Sequence, residues 1–141
     1  MGTLLDTNVL SELLRAAPDR AVLAWVAGQP ATSLFVSAVT QAEMLLGARL
    51  LTAGRRRAAL EAALAAMFEE DFAQRILPFG SESVAAYVDV VVTRRSAGRP
   101  ISQFDAQIAA IALQHRLRLA TRNIADFEAC GLSLIDPWAA S

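Results

Sequence analysis

The chain has 141 residues, a hydrophobic fraction of 55% and a formal net charge of −1. This length and composition predict one folded domain over residues 1–141 and exclude a disordered chain. The small net charge provides no overall basic field for nucleic acid, and all 13 basic residues are arginine. Because Cys130 is the only cysteine and His115 the only histidine, an internal disulfide and a histidine-rich metal site are both excluded.

A membrane segment is not expected. The longest uncharged stretch, residues 21–42, contains polar residues and a proline, so we expect a helix, a turn and a strand there instead of a bilayer span. Only four residues separate Met1 from Asp6, which is too few for the apolar part of a signal peptide. The expected location is therefore the cytoplasm.

Apolar runs of strand length alternate with helical patterns along the chain. The predicted strands are residues 3–5, 34–36, 75–79, 118–120 and 133–135. The predicted helices are residues 8–16, 20–27, 38–53, 55–72, 82–97, 104–116 and 124–129. Such alternation is typical of an α/β fold with a parallel sheet covered by helices on both faces. Ligands bind beyond the carboxyl ends of the strands in sheets of this kind.

The first candidate residue is Asp6, in the segment TLLDTNVLSELL. It directly follows the first predicted strand, so it lies at the edge of the sheet where ligands bind. Aspartate is also a favoured residue at the start of a helix, because its carboxylate accepts hydrogen bonds from unpaired amides of the first turn. Both a ligand-binding and a helix-capping interpretation of Asp6 are open at this point.

The second candidate is Glu43, in SAVTQAEMLLGARLL. It shares one helical face with Val39, Leu46 and Leu50, at spacings of four, three and four residues. We therefore expect Glu43 on or beside the buried stripe of its helix, where a carboxylate must be paired, protonated or bound to a cation. The alternative is a residue at the rim whose carboxylate reaches water or an arginine.

The third candidate is Asp105, in ISQFDAQIAAIA. Its predicted helix carries apolar residues on the same face, namely Ile108, Ala109 and Ala112. Ser102 and Asp105 also match the S-x-x-D capping signature, so a capping role is the alternative. Capping thus accounts for two of the three carboxylates, but it does not explain Glu43.

Taken in order, LLDTNVLSELL, SAVTQAEMLLGARL, ISQFDAQIAAIA and LATRNIADF resemble the successive motifs of the PIN-domain ribonucleases. Within that family the chain most resembles the VapC toxins of bacterial toxin–antitoxin pairs, from Thr3 to the closing LSLIDPW. The resemblance implies a three-layer sandwich with a central parallel sheet of four to five strands flanked by helices. It also implies that Asp6, Glu43 and Asp105 are the catalytic, metal-binding acids, around Mg²⁺ or Mn²⁺.

The fourth motif, ATRNIADF, departs from the strictest family pattern. Many relatives have an aspartate where this chain has Asn123, and others rely on a later acid, which here is Asp126. Asn123 offers a neutral oxygen to a metal ion or its water, whereas Asp126 acts through water, holds Arg122 or begins a helix. The residues expected to contact the substrate or to support the metal ligands are Thr7, Asn8, Ser37, Thr121 and Arg122. Ser37 has a plainer role as the N-cap of the Glu43 helix.

The expected chemistry is hydrolysis of a phosphodiester. Mg²⁺ both acidifies a bound water and compensates the charge that develops on the phosphoryl oxygens. It takes oxygen ligands, so two or three carboxylates suffice. We expect Asp6 and Asp105 to bind the metal directly, and Glu43 to bind it or to orient the water. If the three carboxylates converge without a metal, their repulsion raises the pKa of at least one of them.

The resemblance implies a metal-dependent endoribonuclease toxin with a transfer-RNA class of substrate, a VapB-like antitoxin as partner and a homodimeric state. A phosphatase of the haloacid-dehalogenase type fits less well, because it requires a second aspartate at the position of Asn8. A response-regulator receiver requires a lysine, which this chain lacks. The other class of function is a catalytically degenerate PIN-like module that binds RNA or protein. Since all three acids are intact, an enzyme is the favoured interpretation.

Overall fold

The fold is built on a sheet of five short parallel strands. The computed structural model describes residues 1–139. Its strands are β1 (Thr3–Leu5), β2 (Leu34–Ser37), β3 (Ile76–Leu77), β4 (Arg118–Ala120) and β5 (Leu134–Ile135). They pair in the order β3-β2-β1-β4-β5, and every pair is parallel. The predicted α/β class and parallel sheet are therefore confirmed.

Seven α-helices connect these strands within the described residues. They are α1 (Thr7–Leu13), α2 (Arg20–Ala27), α3 (Ala38–Arg49), α4 (Arg55–Ala66), α5 (Val84–Ser96), α6 (Gln103–Gln114) and α7 (Ile124–Phe127). None of them is both long enough and apolar enough to span a bilayer. The uncharged stretch at residues 21–42 folds as predicted, into a helix, a turn and a strand.

The helices cover both faces of the sheet. Successive residues of a strand point to opposite faces, and the two buried leucines of β1 accordingly enter different clusters. Leu4 packs in a cluster with Ile108 of α6, whereas Leu5 packs in a second cluster with Leu10 of α1 and Leu64 of α4. This arrangement is the predicted three-layer sandwich.

Two predicted elements near the middle of the chain are shorter in the structure. The helix expected over residues 55–72 ends at Ala66 and is followed by a π-helical turn over Met67–Asp71. The strand expected over residues 75–79 is reduced to β3. Pro78, which follows it, has no backbone N–H, so the ladder of hydrogen bonds cannot continue through this position.

The prediction that Glu43 shares a buried face with Leu46 and Leu50 is wrong. Leu46 is 59% exposed and Leu50 75% exposed. The buried residues of α3 are Val39, Thr40 and Ala48. The buried stripe of α3 is thus shifted by one residue from the predicted stripe. Because one residue turns an α-helix by about 100°, this shift moves the predicted face away from the core. Glu43 consequently lies at the edge of the buried face, half-buried.

The order of the sheet defines where a ligand site is expected. From β1 the chain adds β2 and β3 on one side and then crosses over to add β4 and β5 on the other. The direction of winding therefore changes between β1 and β4. In open parallel sheets the binding crevice lies beyond the carboxyl ends of the strands at such a point.

Candidate active site

A cleft of about 510 Å³ opens at this edge of the sheet. Asp6, Glu43 and Asp105 all line it, although they come from three separate segments of the chain. Four further predicted residues also line the cleft, namely Thr7, Asn8, Arg122 and Asn123. The structure therefore brings together most of the residues that the sequence motifs singled out.

Asp6 lies at the end of β1 and is the N-cap of α1. Its Oδ1 accepts a 2.8 Å hydrogen bond from the backbone N–H of Thr7. Its Oδ2 accepts a 2.8 Å bond from the Thr121 hydroxyl and a longer one, 3.4 Å, from the Asn8 amide. Asp6 is only 5% exposed. The capping interpretation thus accounts for one oxygen, while the other accepts hydrogen bonds from the side chains of Thr121 and Asn8.

Burial raises the pKa of Asp6 above its ordinary value of 3.8 and is the largest of the causes. The hydrogen bonds from Thr121 and Thr7 lower this pKa, and the negative charges of Glu43 and Asp126 raise it. A raised pKa among the three acids was predicted and is confirmed. Its main cause, however, is the removal of the carboxylate from water and not repulsion between like charges.

Glu43 projects from α3 toward α1. Its Oε1 accepts a 3.0 Å hydrogen bond from the Thr7 hydroxyl, whose oxygen also lies 3.0 Å from the hydroxyl oxygen of Thr40. Glu43 has the half-buried position at the rim that the alternative interpretation predicts. It does not meet an arginine there, because none of the ion pairs among residues 1–139 involves it. Thr7 contacts two acids at once, through its N–H to Asp6 and its hydroxyl to Glu43.

Asp105 lies in the first turn of α6. The hydroxyl of Ser102 accepts a 3.2 Å hydrogen bond from the Asp105 backbone N–H, so the predicted capping signature is present. Burial is again the largest cause of a raised pKa, and the negative charge of Asp6 raises the pKa of Asp105 further. The Ser102 hydrogen bond and the positive charge of Arg94 lower it. As predicted, the apolar residues on the Asp105 face are buried: Ile108, Ala109 and Ala112.

The fourth motif contributes through Thr121 and Asn123 at the end of β4. Thr121 is fully buried, and its hydroxyl donates to Asp6 while accepting a 3.0 Å bond from the backbone N–H of Asn123. Asn123 is exposed and lines the cleft. Asp126 is exposed and does not line the cleft, but its charge raises the pKa of Asp6 and Asp105.

Of two further supporting residues, Asp126 differs from one of its expected roles and Ser37 agrees with its plainer one. Asp126 forms no ion pair with Arg122 in the described part of the chain, so that prediction is wrong. Instead, Cζ of Arg122 lies 5.1 Å from the ring centroid of Trp138. Ser37 is fully buried and its hydroxyl accepts a 2.9 Å bond from the Thr40 N–H, so it caps α3, the plainer of its two predicted roles.

The cleft also contains residues that the sequence analysis did not single out as site residues. They are Ser11, Glu12, Arg15 and Trp138. Glu12 is buried and accepts hydrogen bonds from the Asp19 backbone N–H at 2.9 Å and from the Arg15 guanidinium at 3.3 Å. Helical spacing could have identified Ser11, Glu12 and Arg15, because they lie three, four and seven positions after Asn8 and so share its helical face. Trp138 gave no such signal.

Two arginines hold the segment that carries the fourth motif. Arg94 of α5 is only 4% exposed and donates from Nη1 to the carbonyl oxygen of Asp126 at 2.5 Å. Its Nε donates to the Arg99 carbonyl at 2.6 Å, and Arg99 in turn donates to the carbonyl of Ala125 at 3.0 Å. The C-terminal carbonyls of the short helix α7 thus have guanidinium donors, which fixes α7 beside the cleft.

The donors of the cleft suit a hard divalent cation. Among residues 1–139, no group of three or more His, Cys, Asp or Glu side chains is already arranged to hold a metal ion. No ion pair in this range uses Asp6, Glu43 or Asp105 either, so their charge is not neutralised by arginine. Mg²⁺ is commonly bound by only one or two carboxylates together with waters. Buried Asp6 with nearby Asp105 meets that requirement.

The chain is similar to known proteins over almost its whole length. The PIN domain family model matches residues 3–129. VapC ribonuclease Y4jK of Sinorhizobium fredii is 42% identical over 95% of this chain and 96% of the relative. Toxin FitB of Neisseria gonorrhoeae is 38% identical over 96% of this chain and 97% of the relative.

The same relationship is seen in three dimensions. A solved structure of FitAB bound to an IR36 DNA fragment contains a chain that superposes with a TM-score of 0.93 at 37% identity. The match covers 99% of this chain and 97% of that one. The cleft described above therefore lies on a scaffold shared with proteins of known family. The chain belongs to the PIN-domain family and, within it, to the VapC type of toxin.

Proposed function

We propose that this protein is an endoribonuclease toxin that hydrolyses RNA phosphodiesters with Mg²⁺ or Mn²⁺. The observation that carries the proposal is a cleft whose lining includes Asp6, Glu43 and Asp105, three carboxylates that are not paired with an arginine within residues 1–139. The similarity to a VapC ribonuclease supports RNA as the substrate.

We propose a role for each of the three acids. Asp6 and Asp105 are the direct metal ligands, and Glu43 binds the metal or orients the attacking water. A metal ion bound there supplies an acidified water and compensates charge on the phosphoryl oxygens. Thr121 and Asn8 hold Oδ2 of Asp6, and the Thr7 hydroxyl orients Glu43. These neutral donors fix the carboxylates without adding a competing cation.

The fourth position is shared between a neutral and an acidic residue. Asn123 lines the cleft and is exposed, so its side-chain oxygen is available to a metal ion or to a metal-bound water. Asp126 lies outside the lining and acts through water and through its charge. Asn123 is therefore the closer contact of the two.

The partners follow from the same similarity. We infer that a VapB-like antitoxin silences this chain, supported by its likeness to Toxin FitB and to the FitAB structure. Transfer RNA is the proposed class of substrate, and a homodimer the proposed state. Sequencing of RNA ends after brief expression in cells identifies the RNA and the cleavage position.

The deciding experiment is cleavage of RNA by the purified protein with Mg²⁺, with EDTA, and with Mg²⁺ restored after EDTA. We expect cleavage only when the metal is present. Asp6→Asn should remove it, while Asp89→Asn, which changes an exposed aspartate of α5 in the same way, should not. RNA binding without metal-dependent cleavage by the wild type would instead support the alternative, a PIN-like binding module.

A further inference from the structure

The acidic cleft needs a cation that can attract the phosphate of RNA. Two basic residues line it, Arg15 and Arg122. The guanidinium of Arg15 donates to both carboxylate oxygens of Glu12 at 3.3 Å, so it is already engaged. Arg122 is exposed, and its guanidinium takes part in no ion pair in the described chain. Arg122 is therefore the cation of this cleft that is available to an anion.

The backbone of Arg122 is fixed relative to the acids. Its N–H donates a 3.3 Å hydrogen bond to Oδ1 of Asn8, whose amide nitrogen lies 3.4 Å from Oδ2 of Asp6. The residue before it, Thr121, is bonded directly to the same Asp6 oxygen. Arg122 thus begins from a fixed position beside the most buried carboxylate of the cleft.

The side chain of Arg122 is oriented by an aromatic ring. Its Cζ lies 5.1 Å from the ring centroid of Trp138, a favourable distance for a cation–π contact. Trp138 is half-buried, packs against the second core cluster, and has its backbone N–H bonded to Oδ1 of Asp136 at 2.9 Å. The ring is therefore a rigid support, and an arginine held in one orientation loses less freedom when it binds a phosphate.

We propose that Arg122 binds a backbone phosphate of the RNA at this cleft, and that Trp138 is a positioning residue that holds the guanidinium for it. The proposal rests on the proposed function, because it takes RNA as the ligand. The three carboxylates of the cleft that are not paired with an arginine repel a polyanion, and the unengaged, oriented guanidinium of Arg122 opposes that repulsion. Its five N–H donors match the oxygens of a phosphate.

The test measures binding of a single-stranded RNA oligonucleotide in the Asp6→Asn background with Mg²⁺, where cleavage is expected to be lost. Arg122→Gln should weaken binding by about tenfold or more, the usual effect of losing a charge-assisted hydrogen bond. It should also reduce the slope of log K against log salt by about 0.7, the value for one phosphate contact on a single strand. The matched control, Arg95→Gln, removes an exposed arginine outside the cleft and should change neither quantity.

Trp138 is tested through its coupling to Arg122. Trp138→Leu should weaken binding about two- to fivefold, in keeping with the loss of a cation–π contact, and Trp138→Tyr should restore most of the affinity. In the Arg122→Gln background, Trp138→Leu should have little further effect, because its role is to hold a guanidinium that is no longer there. Additive effects of the two substitutions would overturn the positioning role.

A fluorescence measurement keeps the test valid if Trp138→Leu does not fold. The chain has two tryptophans, so Trp25→Phe leaves Trp138 as the only one. Its emission should change on addition of RNA, and this change should be lost with Arg122→Gln. Equal loss of affinity in Arg122→Gln and Arg95→Gln overturns the proposal. The proposal is also overturned if Arg122→Gln leaves RNA binding unchanged but weakens antitoxin binding, since Arg122 would then be a residue that contacts the protein partner.

The two levels of proposal fail separately. If the wild type binds RNA through Arg122 but does not cleave it with any divalent metal, the endoribonuclease proposal fails and the phosphate contact stands. If the wild type cleaves RNA, and Arg122→Gln has the same RNA affinity and the same slope of log K against log salt as Arg95→Gln, the phosphate contact fails and the endoribonuclease proposal stands.

Discussion

The hydroxyl of Thr121 donates a 2.8 Å hydrogen bond to Oδ2 of Asp6, joining the carboxyl ends of β4 and β1. These are the neighbouring strands between which the winding of the sheet changes direction. Because Thr121 is fully buried and Asp6 nearly so, this bond is shielded from water and is stronger for it. It also lowers the pKa of an acid that burial raises. One bond thus connects the first and fourth motifs and keeps Asp6 closer to its ionised form.

Replacing Thr121 with valine tests this connection. Valine keeps the shape but removes the donor, so the pKa of Asp6 should rise further and metal binding should weaken, since a ligand carboxylate must be deprotonated. We expect the acidic limb of the pH–activity profile to move to higher pH and the Mg²⁺ requirement to increase. Thr121→Ser keeps the hydroxyl and should stay close to the wild type. A valine variant with an unmoved acidic limb would contradict this role of Thr121.

Asp6→Asn separates capping from metal binding. Asparagine caps a helix about as well as aspartate, so a cap alone predicts an almost silent change. If Asp6 binds the metal, RNA cleavage should be lost while the melting temperature in EDTA stays level or rises, because a buried charge has been removed. The stabilisation produced by added Mg²⁺ should shrink as well. Thermal melts with and without Mg²⁺, together with a cleavage assay, measure all three, and full activity of the variant would exclude Asp6 from the site.

The metal-free protein should become more stable when the pH is lowered from neutrality toward the raised pKa values of Asp6 and Asp105. Both values lie above the ordinary 3.8. Between the unfolded and the folded pKa, the folded state binds more protons than the unfolded state, so the free energy of unfolding falls as pH rises. Melts in EDTA across this range measure the effect, and the double variant Asp6→Asn, Asp105→Asn should lose it.

Glu61 limits from below the pH range in which acidification stabilises the metal-free protein. The pKa of Glu61 is lowered from 4.5 by its hydrogen bonds to Arg57 and Arg49. Its contribution is therefore present above the unfolded value and is lost as pH falls through the folded one. With Mg²⁺ present, we expect the opposite: the free energy of unfolding should fall as the pH is lowered from neutrality, since protons compete with the metal for Asp6 and Asp105. The prediction would be contradicted if, in EDTA, the melting temperature fell steadily from neutral pH downward and never rose.

Parts of the site could be predicted from sequence because they depend on local order. Asp6 follows a short apolar run and precedes a helix, so its place at the sheet edge needs only the alternation of elements. The sequence also predicts correctly that Glu43 lies near that edge, but it predicts the wrong buried face for the helix that carries Glu43. Apolar residues occur on several sides of α3, including exposed Leu46 and Leu50, so spacing alone leaves the rotation of the helix undetermined.

Contacts between distant segments were beyond the reach of such patterns. Trp138 reaches the cleft because β5 pairs beside β4, which brings the segment after β5 next to Arg122. Neither residue has a helical or strand spacing that relates it to the other. One of the roles open to Asp126 was to hold Arg122, yet the two form no ion pair in residues 1–139, and the Asp126 carbonyl accepts a hydrogen bond from Arg94. Tertiary packing decides which of several available partners each arginine meets.

Arg94→Met tests whether α7 depends on its buried guanidinium. The carbonyls of Asp126 and Arg99 lose their donors, which should reduce the free energy of unfolding by about 1–3 kcal/mol. The neighbouring Arg95→Met, an exposed residue of the same helix, should stay within about 0.5 kcal/mol of the wild type. Because the charge of Arg94 also lowers the pKa of Asp105, its loss should raise that pKa. Denaturant unfolding and an NMR titration of the Asp105 carboxyl measure the two effects, and equal stability of the two variants would show that α7 is held by its other contacts.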